Sequence, residues 1–457
     1  MKNSRCQTHR KYHSFPNIQF EEQSLTSFSG LIILQRLFTV KDVKGNLRHC
    51  FSHLTRKRIF GQPVMVLLLI IHLWLGFRRI RDQRYYQNDP LVRRIAGVLS
   101  LPDVSTLSRT LKKADETSVE KLNKYSRTIV LDRLADLNLS RITNDFDGSV
   151  ISTKGHVENS AIGFNKKKKG CRSYYPLYST IAQTGQVLDV LHRPGNVHDS
   201  NGSIDFVKSS FSLIHQSSPH TQIETRMDSA FFSEKMVNAL EDEHVEYTIS
   251  VPFERLPELK QKIEKWKQWH SIDTDTFYFE LNWKPQSWSE KKRFIFIKHR
   301  VKKQQKEALQ LDLFIPFEYG YEFKVILTNK KTTVRNVLAY HNGRGSQEGI
   351  FSELKSQMHM DYIPFKKLIP NKIYMLSAII AHNMTRELHI LTEEKARHTE
   401  YKRPALWIFQ KVETFRNLVK RAGRITWPKG QFTLTIAAKE NMKNKIVSIL
   451  DALKKAA

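Results

Sequence analysis

The chain changes character at Arg141-Ile-Thr-Asn-Asp-Phe-Asp-Gly-Ser-Val-Ile-Ser-Thr153. Helical spacing of apolar residues dominates before this stretch, and runs of strand length follow it. Successive side chains of a strand point to opposite faces, so Asp145 and Asp147 share one face. The stretch therefore predicts the first strand of a sheet, with two carboxylates on the same side.

Four more runs of strand length follow the first strand. They are residues 174–182, 187–191, 222–227 and 247–251. Between the last two, Ser233 precedes the apolar residues Met236, Val237 and Leu240, a pattern that predicts a capped helix. Strands followed by an alternation of helix and strand indicate a mixed α/β sheet.

The sequence on either side of this sheet differs from it in periodicity and composition. Residues 1–135 are helical in periodicity and include the apolar run 64–77, which predicts a buried helix. Residues 254–335 are rich in lysine and aromatic residues. Their strand candidates are residues 277–283, 293–298 and 321–328. The residues after 336 return to helical periodicity.

The composition indicates several domains and a polyanionic partner. The 457 residues can bury more than one core. Lys and Arg number 74 against 45 Asp and Glu, which gives a net charge of +29. Nucleic acid is the first candidate partner, because cations that neutralise phosphates release condensed counterions. A ribosome-like or merely adhesive basic surface is the alternative.

Targeting and redox signals favour a reducing compartment. The run 64–77 is shorter than the roughly 20 residues that a membrane span needs. The three cysteines offer neither a disulfide framework nor a zinc-binding spacing. The basic N-terminal segment has no secretory signal, so we expect a cytoplasmic protein that does not bind membranes.

In so basic a chain, three carboxylates call for an individual explanation. Asp147 lies in the first strand, and Asp228 follows the alternating strand that ends at Met227. Glu348 lies in Tyr340-His-Asn-Gly-Arg-Gly-Ser-Gln-Glu-Gly-Ile-Phe-Ser-Glu-Leu-Lys355. In that segment Arg344, Glu348 and Lys355 share one helical face. The alternative is an exposed helix with ordinary ion pairs.

Three carboxylates are suited to hold two hard divalent cations, such as Mg²⁺, which prefer oxygen ligands. Two such ions can act on the attacking and the leaving oxygen of a phosphodiester without a covalent enzyme intermediate. The acidic set therefore indicates hydrolysis or transesterification of nucleic acid.

At these residues the sequence resembles the insertion-sequence DDE transposases of the IS-four-like group, and within it the IS-thirteen-eighty branch. The signature of that group is Tyr-x2-Arg-x3-Glu-x6-Lys. Arg344, Glu348 and Lys355 match its spacing, while His341 stands at the tyrosine position with Tyr340 just ahead.

Other motifs strengthen the resemblance. Asp-Phe-Asp-Gly-Ser-Val resembles the strand of the group whose second aspartate is catalytic, which favours Asp147 over Asp145. Arg226-Met-Asp-Ser-Ala-Phe resembles its second acidic element and indicates Asp228. Further similar segments begin at Gln87, Gly163 and Arg193, so the resemblance covers residues 85–390.

The resemblance implies an α/β fold with an RNase-H-like catalytic core, in which a mixed five-stranded sheet is flanked by helices. It also implies a mostly β insertion, an all-α N-terminal region and a helical C-terminal region. The expected boundaries are 1–135 for the N-terminal DNA-binding region, 136–253 and 336–395 for the two parts of the core, 254–335 for the insertion and 396–457 for the C-terminal region.

The resemblance further implies a catalytic and metal-binding triad of Asp147, Asp228 and Glu348, with two Mg²⁺ ions that Mn²⁺ can replace. Arg344 and Lys355 would grip phosphates of the DNA. Other expected DNA contacts are Tyr340, His341, Trp283, Trp288, Lys166, Lys167 and Arg109. Three alternatives remain open: the tryptophans form the core of a small sheet, the lysines are a solvated charge run, and Arg109 lies on an ordinary surface helix.

The expected function is that of a bacterial, nucleoid-associated transposase. It would bind the terminal inverted repeats of its element in double-stranded DNA, cleave the 3′ bond and join the freed end to target DNA, as a homodimer on DNA. One alternative is a catalytically inactive, sequence-specific DNA-binding protein. The other is a structure-specific nuclease on the same fold.

Overall fold

The strand predicted at Arg141 lies inside a nine-stranded sheet in the computed structural model of the chain. The structure describes residues 17–54, 60–163, 165, 168–197, 202–300, 320–397 and 404–456. The strands of these residues are β1 Leu25–Thr26, β2 Arg141–Gly148, β3 Ile151–Ser152, β4 Ala161–Ile162, β5 Arg172–Tyr174, β6 Leu177–Ile181, β7 Gln186–Leu191, β8 Gln222–Met227, β9 Glu246–Ser250, β10 His270–Ser271, β11 Thr276–Trp283, β12 Lys292–Arg300, β13 Tyr321–Thr328, β14 Gly423–Thr426 and β15 Thr433–Ile436.

Helices cover the large sheet and form most of both terminal regions. They are α1 Leu31–Val40, α2 Val43–Cys50, α3 Gln62–Trp74, α4 Pro90–Ala96, α5 Val104–Leu111, α6 Glu116–Leu137, α7 Ser203–Ser217, α8 Glu234–Asp242, α9 Pro257–Lys265, α10 Val334–Asn342, α11 Gly345–Ser356, α12 Leu368–Thr392, α13 Val412–Val419 and α14 Glu440–Lys455.

The large sheet has the strand order β10-β11-β12-β13-β9-β8-β2-β6-β7. β2 pairs in parallel with β8, and β8 in parallel with β9. β6 runs antiparallel to both of its neighbours, β2 and β7. The carboxyl ends of β2, β8 and β9 therefore meet at one edge of the sheet.

The two faces of β2 have opposite chemistry. Phe146 packs edge to face against Phe206 and Phe211 of α7, with ring centroids 6.1 and 5.7 Å apart. Its neighbours Asp145 and Asp147 point to the other face, because side chains alternate along a strand. The apolar face thus fixes the strand on α7 and directs both carboxylates away from that helix.

Two buried helices join the terminal regions to the sheet. The predicted core helix is confirmed as α3, whose terminal Trp74 donates a 2.8 Å hydrogen bond to Thr385 of α12. Glu387 of α12 is fully buried and forms ion pairs with Arg133 at 2.8 Å and Lys41 at 2.7 Å. No helix of the described residues is long and apolar enough to cross a bilayer.

The large sheet has nine strands, whereas the sequence led us to expect five in the core and further strands in a separate insertion. β13 pairs antiparallel with β9, and β12 and β11 follow on the outer side of β13. Strands of the region expected as an insertion thus extend the sheet beyond β9. They can do so because the backbone N–H and C=O groups on the outer side of β9 would otherwise be unpaired.

The terminal regions also differ from the helical expectation. β1 pairs with β14, and β14 pairs with β15, which gives a small three-stranded sheet. Leu25 lies opposite Arg424 in this sheet. Helical periodicity along the sequence does not reveal a pairing between segments so far apart in the chain.

Candidate active site

A buried ion pair joins β2 to β8. Arg226 donates from Nε to Oδ1 of Asp145 at 2.9 Å and from a terminal nitrogen to Oδ2. Their side chains are 0 and 1% exposed. Burial lowers the pKa of Arg226, but the charge of Asp145 and the hydrogen bonds outweigh it and raise that pKa above its ordinary value. Asp145 is therefore held as a structural partner of the arginine.

Asp147 and Asp228 lie one step further along the same two strands. The parallel register pairs Ile142 with Ile223 and Thr143 with Glu224, and the Asp145–Arg226 contact continues it. Extended by two more residues, this register would set Asp147 opposite Asp228. Adjacent strands are about 4.8 Å apart. The two expected catalytic aspartates thus end neighbouring strands at one edge.

Local contacts define each of these aspartates. Asp228 caps a short helical turn, Ser229–Phe231, by accepting a 3.0 Å hydrogen bond from the Ala230 amide. Asp147 is 22% exposed, and its Oδ2 lies 3.5 Å from the guanidinium of Arg344. Both carboxylates therefore remain at the solvent boundary of the sheet.

α11 lies across the end of β2. The buried Gln347 donates to the Asp145 carbonyl at 3.1 Å and to Thr180 Oγ1 at 2.9 Å. One face of the helix thus docks on the edge where the aspartates end. Lys355 donates to the Val150 carbonyl at 3.0 Å, which fixes the far end of the helix.

Glu348 is the neighbour of Gln347 in the first turn of α11 and is exposed to solvent. Glu348 therefore lies on the helix that docks across the end of β2. In the described residues, no three His, Cys, Asp or Glu side chains form a set that could hold a metal ion. The donor set is nevertheless all carboxylate oxygen, which fits a hard divalent cation.

The family model for the transposase DDE domain, group 1, matches residues 13–457. The chain belongs to this family. Its members are transposition enzymes. A solved structure titled as the piggyBac transposase synaptic complex with hairpin DNA matches at a TM-score of 0.43 and 10% identity, over 94% of this chain and 81% of that chain. No curated protein matches.

Arg226 also contacts the segment that leads into α11, the helix that carries Glu348. Arg226 donates to the Tyr340 carbonyl at 3.2 Å, at the end of α10. A Cβ added to Gly343 would stand 2.3 Å from a terminal nitrogen of Arg226. Arg226 therefore contacts β2, lies on β8 and sits under the turn into α11.

Tyr340 and His341 were expected as DNA contacts, but the structure buries both. The Tyr340 ring faces the ammonium of Lys330 at 4.3 Å. His341 is hydrogen-bonded to Ser250 and Thr248, each at 2.9 Å. Burial lowers the pKa of His341 well below its ordinary value, so its ring is neutral. Their position on α10 turns both side chains onto the sheet, and neither is available to bind DNA directly.

The two tryptophans proposed for DNA binding differ in exposure. Trp288 is buried and stacks on Phe232 with centroids 5.0 Å apart, as expected for a core residue. Trp283 is half-buried and borders a cavity of about 400 Å³ that is also lined by Lys262 and Lys265. Of the two, only Trp283 has a face that a ligand could reach.

Of the remaining expected DNA contacts, the structure describes only Arg109. Arg109 is exposed on α5, and its guanidinium contacts the Ser105 carbonyl and Thr106 Oγ1 of its own helix, each at 3.4 Å. Lys166 and Lys167 lie outside the described residues.

Sequence inspection missed Lys324 on β13. Its ammonium donates to Asn342 Oδ1 at 3.0 Å. Burial, and then the charge of Arg344, lower its pKa to about 8. The sequence gives the strand but not the pairing of β13 with β9, so nothing in it places Lys324 beside Arg344.

Proposed function

We propose that this chain is a DNA transposase that cleaves the ends of its own mobile element and joins the freed 3′ ends to target DNA. The observation that supports this most is the shared edge of Asp147 and Asp228, with Glu348 on a helix docked across it. The family match gives the same enzyme class.

We infer an RNase-H-like core within the large sheet. In the strand order β7-β6-β2-β8-β9 only β6 runs against the others, with the first aspartate on the central β2 and the second after β8. This order supports the proposed core of residues 136–253 and 336–395. Residues 254–335 remain the proposed insertion, and the IS-four-like group with its IS-thirteen-eighty branch remains the proposed lineage.

We propose that Asp147, Asp228 and Glu348 hold two divalent cations, Mg²⁺ or Mn²⁺. When bound, such ions polarise the scissile phosphate and favour the deprotonated nucleophile. Arg344 pairs with Asp147 at 3.5 Å, and we propose that it exchanges this partner for a phosphate oxygen when DNA binds. Lys355 lies on the same helix and would orient the strand further along.

The proposed partner is double-stranded DNA at the inverted repeats and at the target. The charge of +29 supports attraction to a phosphate backbone. Joining two ends requires two active sites, so we propose a homodimer on DNA. We also propose association with the bacterial nucleoid.

The test uses a duplex that carries the inverted repeat found beside the gene, labelled at its 5′ ends, with Mg²⁺ or Mn²⁺ and a plasmid target. We expect nicking and strand transfer by the native chain, and neither by Asp147→Ala or Glu348→Gln. Glu322→Gln is the matched control, because it removes an exposed carboxylate from β13.

Persistent cleavage by the Asp147 or Glu348 variant would contradict the assignment. Cleavage without strand transfer would support the structure-specific nuclease instead. Tight binding that needs no metal and produces no nicks would support the inactive DNA-binding protein.

A further inference from the structure

Lys324 is a half-buried cation whose charge the described residues leave uncompensated. Its hydrogen-bond acceptor Asn342 is a neutral amide, and its nearest charged influence is the cation Arg344. In the described part of the chain, no carboxylate lies within ion-pair distance of its ammonium. Partial burial makes an uncompensated charge costly, because it removes part of the hydration of the ammonium.

A second lysine near the end of the same strand shows the ordinary arrangement. Lys330 is buried and forms ion pairs with Glu224 at 2.6 Å and Glu246 at 2.5 Å. The fold therefore provides carboxylates for a lysine that it buries for structural reasons. It provides none among the described residues for Lys324, whose neighbour is a second cation.

The sheet register places Lys324 at the edge where the acids end. Ile326 of β13 lies opposite Ser250 of β9. Continuing the parallel register of β9 and β8 by one residue sets Ser250 beside Asp228. Lys324 precedes Ile326 by two residues, so its side chain lies on the same face as that of Ile326. Because β13 runs antiparallel to β9, Lys324 lies beyond Ser250 and Asp228, on the side where β8 ends.

We propose that Lys324 and Arg344 together bind one phosphate of the DNA backbone next to the acidic edge. Arg344 has Asp147 at 3.5 Å, whereas Lys324 has no carboxylate partner among the described residues, so a phosphate bound by both cations would supply the charge that Lys324 lacks. Asn342 holds the lysine in place through its amide oxygen. This inference rests on the proposed function and adds a DNA contact from the strand extension of the sheet.

The test is the salt dependence of binding to the repeat duplex, measured by fluorescence anisotropy in EDTA so that no cleavage occurs. The affinity falls as salt rises, and each lost phosphate contact decreases the steepness of log K against log salt by about 0.9. We expect that decrease in steepness for Lys324→Gln and the native steepness for Lys324→Arg.

Lys331→Gln is the matched control, because it removes an exposed lysine close by. We expect its slope to equal the native slope. An equal decrease in the control would show a general charge effect and overturn the proposal, as would an unchanged slope in Lys324→Gln.

Thermal unfolding provides a second measurement. Removal of an uncompensated half-buried charge should leave the Tm of Lys324→Gln unchanged or raise it. A marked fall in Tm would assign Lys324 a structural role and overturn the phosphate site. Native protein that does not prefer the repeat to a scrambled duplex would contradict the proposed function itself, a result distinct from either outcome for Lys324.

Discussion

Arg226 and Asp145 form a fully buried ion pair that joins two parallel strands one row below Asp228 and Asp147. The same guanidinium contacts the Tyr340 carbonyl at the end of α10. The three segments that present the acidic residues therefore meet at one arginine, and the geometry of the edge depends on it.

Loss of this arginine should destabilise the chain strongly. In Arg226→Met the carboxylate of Asp145 stays buried without a partner, which costs about 3–5 kcal/mol. The double variant Asp145→Leu with Arg226→Met should be less destabilised than Arg226→Met alone, because no charge is then buried. Urea unfolding measures both, and a double variant that is less stable than Arg226→Met would contradict the role of the pair.

Gly343 should tolerate no side chain. An alanine Cβ there would lie 2.3 Å from the Arg226 guanidinium and 3.1 Å from the Tyr340 carbonyl. We expect Gly343→Ala to lower stability by about 1–3 kcal/mol through overpacking. Gly349→Ala is the control, since nothing lies within 4 Å of its Cβ and alanine favours a helix by about 1 kcal/mol. Equal unfolding midpoints for the two variants would contradict this packing.

Substitution of Asp147 should affect mainly activity, and substitution of Asp145 mainly stability. Asp147→Asn should lower strand cleavage by about 100-fold or more, with little change in unfolding, because its side chain is at the solvent boundary. Asp145→Asn should mainly lower stability, because it removes the charge that compensates Arg226. The opposite pattern in cleavage and urea unfolding would reverse the assignment of the catalytic aspartate.

DNA affinity should fall as pH rises through the pKa of Lys324. That pKa is about 8, and phosphate binds the protonated form, so binding is strongest below pH 8 and weakens above it. The charged or titratable groups around it are Arg344 and His341, and burial keeps His341 neutral by lowering its pKa. Its partner on β12 is the apolar Ile297.

Binding of the repeat duplex between pH 7 and 9.5 measures this effect. Lys324→Arg should bind with an affinity that does not vary over this range, because a guanidinium remains charged. A native affinity that is equally independent of pH would contradict the contact.

Two buried histidines should make the fold sensitive to mild acid. Burial lowers the pKa of His72 to about 4 and of His382 to about 3, from an ordinary 6.5. Below pH 6.5 the unfolded chain takes up protons that the folded chain refuses, so stability falls toward pH 4, by up to about 1.4 kcal/mol per pH unit for each histidine. His382→Gln should show a smaller decrease between pH 6.5 and 5 in urea unfolding, and an unchanged decrease would contradict this origin.

Local patterns were sufficient to predict the elements that present the acids. Alternation predicted β2 and β8, and helical spacing predicted the helix of Glu348. The extension of the sheet was not predictable in this way, because the pairing of Ile326 with Ser250 depends on contacts between distant segments. The strands of residues 254–335 were therefore predicted, but not that they join the same sheet as β9.

The role of neighbouring residues depended on the same long-range contacts. The strand pattern places Asp145 and Asp147 on one face and cannot distinguish them. In the structure they differ, because Asp145 is buried in an ion pair with Arg226. Tyr340 and His341 match a motif but face the sheet, since helical spacing does not reveal which side of α10 is covered.

Iron-mediated cleavage of the polypeptide tests the central claim most directly, because it locates a bound divalent cation without knowledge of the DNA sequence. Fe²⁺ would be bound in place of Mg²⁺ and activated with ascorbate and peroxide, and the cut sites mapped by mass spectrometry. We predict cuts clustered near Asp147, Asp228 and Glu348, suppressed by excess Mg²⁺ and by Asp147→Asn. Cuts confined to other parts of the chain, or unaffected by that substitution, would contradict a shared metal site at this edge.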